Sequence, residues 1–115
     1  MKNNIYNLKS KNKFKSLFEK GAFFKKKSIG LRYLKKDDSS YFIGYAVSKK
    51  NFAKAVDRNL IKRRMRSELF ALKKNFIESC SPGFYLFYYL GKKIPLSIDV
   101  SDEIILVFKE FNQNT

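Results

Sequence analysis

The feature that most restricts the fold is a change of hydrophobic period near residue 80. Over residues 57–79, apolar side chains recur at helical spacing and form one stripe: Ile61, Met65, Leu69, Leu72 and Phe76. Pro82-Gly83 then ends the helix. Residues 84–90 follow as a short aromatic run whose length suits a buried strand. A long helix joined closely to a buried strand predicts a domain that mixes α and β structure.

Segments before this helix add one helix and two strands. Residues 11–20 place Phe14, Leu17 and Phe18 at helical spacing, and Gly21 is a plausible C-terminal cap. Residues 29–33 and 41–47 have the alternation of strands. The polar residues between them predict a turn: Asp37, Asp38, Ser39 and Ser40. We therefore expect these two strands to form a hairpin.

The C-terminal segment is open to two interpretations. Ser101 can cap a last helix, with Asp102 and Glu103 in its first turn at the positive end of the dipole. Residues 104–108 would also suit a strand. With the helix, the order is α-β-β-α-β-α without internal repeats, which predicts an α+β two-layer sandwich of a small central sheet with packed helices. A length of 115 residues predicts a single domain over residues 1–115, with one hydrophobic core.

The charge of the chain is large and unevenly placed. The net charge is +15, and residues 1–66 carry 20 basic and 4 acidic side chains, against 5 and 6 in residues 67–115. A polyanionic partner would screen this repulsion. A membrane surface is the rival to nucleic acid, but no apolar run approaches the length of a membrane span and the N-terminus lacks a signal-peptide stretch. We expect a cytoplasmic protein.

The central helix concentrates this charge on one side. On a helical wheel, one arc opposite the apolar stripe holds Asn59, Lys62, Arg63 and Arg66, with Lys73 extending it. The loop before the helix adds Ser48, Lys49, Lys50, Lys54 and Arg58. Such a surface supplies phosphate contacts, and arginine planes can stack on unpaired bases. The alternative is an ordinary solvated helix face.

This region also resembles the protein subunit of bacterial ribonuclease P. The resemblance rests on Ser48-Lys49-Lys50 and on residues 55–63, where Arg58-Asn59 and Ile61-Lys62-Arg63 match the family signature and Leu60 replaces its second arginine. It extends over about residues 8–112. The resemblance implies an α+β sandwich with a left-handed βαβ crossover, and a signature helix that binds a large catalytic RNA. The RNA-binding residues it implies are Lys49, Lys50, Lys54, Arg58, Asn59, Lys62, Arg63 and Arg66.

The same resemblance implies a second surface, a cleft between the first helix and the sheet for the single-stranded 5′ leader of precursor tRNA. Phe14 and Phe18 map there, and Lys11 and Lys13 suit such a cleft because rings stack on bases and lysines follow phosphates. Without the family, two Phe at i and i+4 are more often core residues. We also assign Arg32 to the cleft, because it alternates with Ile29, Leu31 and Tyr33. Family members often carry an apolar or aromatic residue near Arg32 and a basic residue where this chain has Tyr89.

No catalytic group is evident in the chain itself. It has no His, and its single cysteine, Cys80, is expected to be a packing residue. Asp37, Asp38, Asp99, Asp102 and Glu103 are explained by local hydrogen bonding near turns and a helix start. We expect no metal site, no cofactor and no small-molecule substrate. The expected partners are ribonuclease P RNA, which would hold the catalytic Mg²⁺, and precursor tRNA.

The function expected from the resemblance is that of a non-catalytic subunit in a ribonucleoprotein endonuclease that matures the 5′ end of tRNA. The alternative is a structural RNA-binding protein of a ribosome-like particle, which would be equally small and basic. A weaker alternative is a membrane-surface binder, disfavoured because the core needs the apolar stripe of the central helix.

Overall fold

A computed structural model describes residues 4–8, 11–35 and 39–114. These residues form a mixed sheet with helices on both faces, which confirms the α+β prediction. The elements, in chain order, are β1 Asn4–Asn7, α1 Lys11–Lys20, β2 Ala22–Lys26, β3 Ile29–Lys35, β4 Ser40–Val47, α2 Ala55–Ala71, α3 Lys73–Ser79, β5 Gly83–Tyr89 and α4 Ser97–Asn114.

The predicted hairpin between the strands now labelled β3 and β4 is wrong. The sheet order is β1-β4-β5-β3-β2, so β5 lies between them, parallel to β4 and antiparallel to β3. The physical reason is burial: Tyr85 and Phe87 on one face of β5 and Leu86 on the other are at most 1% exposed. Such a strand is best covered at the centre of the sheet. Asp37 and Asp38 of the predicted turn lie outside the described residues.

The sequence order missed two strands, both at the edges of the sheet. β1 has four residues and pairs in parallel with β4. β2 pairs with β3 through a two-residue turn at Lys27 and Ser28, and Lys27 has the positive φ of 52° that such tight turns require. The chain then crosses from β4 to the parallel β5 through α2 and α3, which is the crossover connection that the resemblance implies.

The predicted central helix is two helices. The break lies at Leu72, where φ is −98° and ψ is 16°, and where the backbone N–H contacts the oxygens of both Glu68 and Leu69. The predicted stripe still faces the core, since Ile61, Met65, Leu69 and Phe76 are buried. A short tightened turn at the junction therefore redirects the helix without losing its apolar face.

The C-terminal element is a helix, so the alternative of a strand over residues 104–108 is wrong. It begins at Ser97, four residues before the predicted cap at Ser101. Its buried side chains recur at helical spacing: Val100, Ile104, Val107, Phe108 and Phe111.

The sheet separates two apolar clusters. The larger lies between the sheet and α2 to α4, and includes Tyr41, Phe76 and Tyr85. The smaller lies under α1 on the opposite face, where Leu17 packs with Leu8 and Leu86. Helices therefore pack on both faces of the sheet. The basic side of α2 and the predicted cleft beside α1 lie on opposite sides of the sheet.

Cys80 is buried, 4% exposed, in the larger cluster, which confirms the prediction of a packing residue. Burial raises the pKa of its thiol to about 12. Its backbone oxygen accepts a hydrogen bond of 2.7 Å from the Tyr41 hydroxyl. None of the helices in the described ranges has the length and apolar character needed to cross a bilayer.

Candidate nucleic-acid interface

The solvent side of α2 carries several cations, and this surface, formed by Asn59, Lys62, Arg63, Arg66 and Lys73, is here called the basic face. Opposite the buried Ile61 and Met65, the structure places Asn59, Arg63, Arg66 and Lys73 exposed and Lys62 half-buried. The predicted arc is therefore on one side of α2, with Lys73 following in α3. Arg66 lies over the Tyr45 ring, with its guanidinium carbon 5.5 Å from the ring centroid.

The loop of residues 48–54 precedes the basic face and is closed by local hydrogen bonds. The Lys50 N–H donates to Ser48 Oγ at 3.1 Å, and the Phe52 N–H donates to the Ser48 oxygen at 3.0 Å. The Phe52 side chain is buried, 6% exposed. With the loop fixed by these contacts, Lys49, Lys50 and Lys54 are exposed.

Arg58 differs from the other predicted phosphate ligands. It is half-buried, and its Nη1 donates to the backbone oxygens of Phe52 at 2.9 Å and Ala53 at 2.8 Å. The guanidinium thus ties the loop to the first turn of α2. A contact with RNA would add to this positioning role.

Arg64 is a structural arginine that the sequence did not distinguish from its neighbours. Its Nη1 donates to the Pro95 oxygen at 2.6 Å, so it joins α2 to the segment before α4. Its position one residue after Arg63 places it about 100° around the helix. That angle was readable from the wheel, but the carbonyl partner 31 residues away was not.

On the opposite side of the sheet, three aromatic rings surround the Arg32 guanidinium. The guanidinium carbon lies 5.1 Å from the centroid of Phe18, 4.9 Å from Phe23 and 5.9 Å from Tyr88. Arg32 Nη1 also contacts the Phe18 oxygen at 3.4 Å. The structure therefore places Arg32 beside α1, on the face opposite Ile29 and Leu31, as the alternation predicted.

Phe18 does not belong to the core. It is 53% exposed and its ring meets Tyr88 edge-on at 5.6 Å, whereas its neighbour Leu17 is fully buried and anchors α1. Phe14, Lys11 and Lys13 lie in α1, but their side chains are outside the described part of the structure.

The last two tyrosines of β5 face opposite sides of the sheet. Tyr89 faces the larger cluster, is 5% exposed and donates to the Lys93 oxygen at 2.6 Å. Tyr88 instead faces Arg32 and α1. Burial raises the pKa of Tyr88, and the nearby guanidinium of Arg32 opposes that rise. The alternation of β5 places Tyr88 on the side of Arg32, whereas no local sequence signal identifies Phe23 as a neighbour of Arg32.

The acidic side chains near α4 surround one cavity. Asp99, Asp102 and Glu103 line a cavity of about 420 Å³ together with Lys27 and Lys93. The expectation of local hydrogen bonding is wrong for Glu103, whose Oε1 accepts from the Ser28 N–H at 2.6 Å, 75 residues away in sequence. Within residues 4–8, 11–35 and 39–114, no group of three His, Cys, Asp or Glu side chains could hold a metal ion.

The mixed sheet, the basic face and the aromatic rings around Arg32 define a class of protein, a small α+β domain with a cationic helix face on one side of its sheet and an aromatic cluster on the other. A family model described as Ribonuclease P matches residues 2–94 of the chain. The chain belongs to the ribonuclease P family of proteins, as the signature over residues 48–63 predicted.

Curated relatives carry the same description. The ribonuclease P protein components of Streptococcus agalactiae serotypes Ia, V and III are each 35% identical to this chain over 68 residues. The match covers 59% of this chain and 62% of each relative's length. These matches give no support to the alternative of a ribosome-like structural protein.

Solved structures share the fold. A structure of the Staphylococcus aureus RNase P protein superposes with a TM-score of 0.75, covering 90% of this chain and 93% of that one at 21% identity. Another structure of the S. aureus protein gives a TM-score of 0.74 over 93% and 89% of the two chains. At this identity, the likeness establishes the shared fold.

Proposed function

We propose that this chain is the non-catalytic protein subunit of a ribonucleoprotein ribonuclease P, which removes the 5′ leader from precursor tRNA. The observation that carries the proposal is the placement of two different surfaces on one sheet. The basic face of α2 presents cations to solvent, and the cleft beside α1 presents aromatic rings. One small domain can thus contact two RNAs at once.

The basic face would bind the catalytic RNA. Lys62, Arg63 and Arg66, with the loop lysines, neutralise phosphates, and each neutralised phosphate releases counterions and strengthens binding. Arg58 would keep the loop in place through its two carbonyl contacts. Leu60, which stands where the family signature has a second arginine, removes one cation from this surface.

The cleft would bind the leader. Phe18 is sufficiently exposed to stack on a base, and Arg32 is held among three rings at a position where a phosphate or a base could approach. By resemblance, Phe14, Lys11 and Lys13 extend this surface along α1. Affinity for the leader would favour the precursor over the mature tRNA, which lacks it.

The chemistry would belong to the RNA. We infer that the RNA holds the Mg²⁺ ions that activate water, while the protein reduces phosphate repulsion and positions the leader. Among the described residues, no group of three His, Cys, Asp or Glu side chains could hold such an ion. Since both RNA partners are cytoplasmic, we propose the same compartment for the protein.

The test is multiple-turnover cleavage of a leader-bearing precursor tRNA by a bacterial ribonuclease P RNA at low Mg²⁺, with and without the protein. We expect strong stimulation restricted to the correct 5′ site. Tight, salt-sensitive binding to the RNA without any stimulation would reject the proposal.

A further inference from the structure

A second concave surface lies next to the basic face and is not part of the cleft. It is a cavity of about 230 Å³ between β1 and β4 on one side and α2 and α3 on the other, here called the edge pocket. Its floor is apolar and buried, formed by Ile43, Leu69 and Phe76. Tyr45 and Phe70 contribute aromatic side chains to its lining.

The mouth of the edge pocket is cationic. Arg66 and Lys73 line it and are exposed, and none of its lining residues is acidic. A smaller cavity of about 190 Å³ adjoins it, shares Arg66 and Tyr45, and adds Lys62. The edge pocket and the adjoining cavity are therefore lined together by three cations of the basic face.

Phe70 is the least expected residue of this surface. It is 76% exposed, whereas the three side chains of the pocket floor are at most 4% exposed. An exposed phenylalanine beside an apolar concavity indicates a binding surface rather than a core residue. In a face that carries Arg66 and Lys73, the complementary ligand is apolar and flat where it meets Phe70, and negatively charged next to it.

We propose that the edge pocket receives one unpaired nucleobase of an RNA bound along the basic face. The base would pack against Phe70 and the guanidinium plane of Arg66, with its phosphates near Arg66 and Lys73. Arginine planes and aromatic rings are the groups on which splayed-out bases stack. Asn7 lines both cavities, and its carboxamide offers the donor and the acceptor that a base edge requires.

The size of the pocket agrees with this occupant. Sites for drug-sized ligands span about 300–1,000 Å³, and at about 230 Å³ the edge pocket holds a single ring system. The inference rests on the proposed function in taking the anionic ligand to be RNA. It adds that contacts with an unpaired base contribute to RNA affinity together with contacts to the phosphates.

The test compares two RNA hairpins of equal length and charge, one fully paired and one with a single bulged 2-aminopurine. We expect the protein to bind the bulged hairpin about tenfold more tightly, the size of one stacking contact, and to quench its fluorescence. Phe70→Ala should abolish both the preference and the quenching. Ile98→Ala removes an exposed apolar side chain from α4 and should change neither.

Three outcomes would overturn the pocket. The first is equal affinity of the unmodified protein for both hairpins, and the second is a preference for the bulged hairpin that survives Phe70→Ala. The third is a dimer that forms without RNA and is disrupted by Phe70→Ala, because such a dimer would assign the pocket to a second copy of the chain. The two proposals fail separately. A bulge preference without stimulation of precursor cleavage would reject the proposed function alone, whereas stimulation without a bulge preference would reject the pocket alone.

Discussion

The buried carboxylate of Glu103 accepts a hydrogen bond from the backbone N–H of Ser28 at 2.6 Å and so joins α4 to the turn between β2 and β3. Glu103 is 8% exposed. Because the bond fixes an edge hairpin that carries Lys25, Lys26 and Lys27, it links the packing of α4 to one end of the sheet.

Glu103→Ala should lower the free energy of unfolding by about 1–3 kcal/mol, because it leaves a partly buried N–H without its charged acceptor. Glu103→Gln retains an acceptor oxygen and should cost less. The exposed neighbour Asp102 offers a control, since Asp102→Ala should change stability by about 0.5 kcal/mol or less. Urea unfolding measures all three. Equal losses for Glu103→Ala and Asp102→Ala would show that the bond contributes nothing.

Phe18→Ala and Leu17→Ala should separate binding from folding. Phe18 is 53% exposed, so its removal should weaken binding of leader-bearing precursor tRNA by about 1–3 kcal/mol with little loss of stability. Leu17 is fully buried, so its removal should cost about 2–5 kcal/mol of stability. Affinities for precursor and mature tRNA and thermal unfolding give both quantities. A large stability loss in Phe18→Ala with unchanged leader affinity would restore the core interpretation.

Arg63→Ala and Arg64→Ala form a second adjacent pair. Exposed Arg63 should contribute about one phosphate contact, so its removal should reduce the slope of log affinity against log salt by about 1. Arg64 donates to the Pro95 oxygen, so its removal should lower stability and leave the salt slope nearly unchanged. Titrations with ribonuclease P RNA at several salt concentrations measure the slopes. Identical slopes for Arg63→Ala and the unmodified protein would exclude Arg63 from the interface.

Cys80 should make stability decline with alkaline pH. Burial raises the pKa of its thiol to about 12, so the folded protein keeps a proton that the unfolded chain releases above about pH 8.5. The contribution of the protonated Cys80 thiol to the free energy of unfolding is therefore complete below about pH 8.5 and is lost as the pH rises toward 12. Cys80→Ala should give a shallower decline between about pH 8 and 9, where most tyrosines of the unfolded chain are still protonated.

The measurement for Cys80 is urea unfolding at several pH values, compared by slope because Cys80→Ala also removes packing. Parallel stability curves for the two proteins would contradict the assignment. A thiol reagent at pH 8 should also react with the native protein only as fast as the protein opens, since the thiol is 4% exposed and protonated.

Local periodicity predicted much of the secondary structure. α1 has the bounds expected from Leu17, Phe18 and Gly21, and β5 differs from the predicted strand by one residue at each end. The basic face was also predictable, because positions 100° apart on a helix assign each side chain to a side once the apolar stripe is known. The signature over residues 48–63 predicted the family.

The sequence did not determine which strands pair. β3 and β4 are neighbours in the chain, and the choice of β5 as their shared partner depends on how Tyr85, Leu86 and Phe87 are buried on two faces at once. The break at Leu72 was likewise not predictable from the apolar stripe. One continuous helix or two consecutive helices would both keep the apolar residues facing the core.

By itself, the sequence determined the apolar stripes of the helices, the side of α2 that carries the positive charge, and the family. Each of these features is set by residues close together in the chain. The tertiary structure alone decided the roles of individual side chains within those patterns. Arg64 donates a hydrogen bond to the Pro95 oxygen, and the rings of Tyr88 and Phe23 contact the Arg32 guanidinium. Phe70 lines a pocket together with residues of β4. These roles depend on contacts between distant segments, which follow from the packing of the whole sheet and not from local spacing.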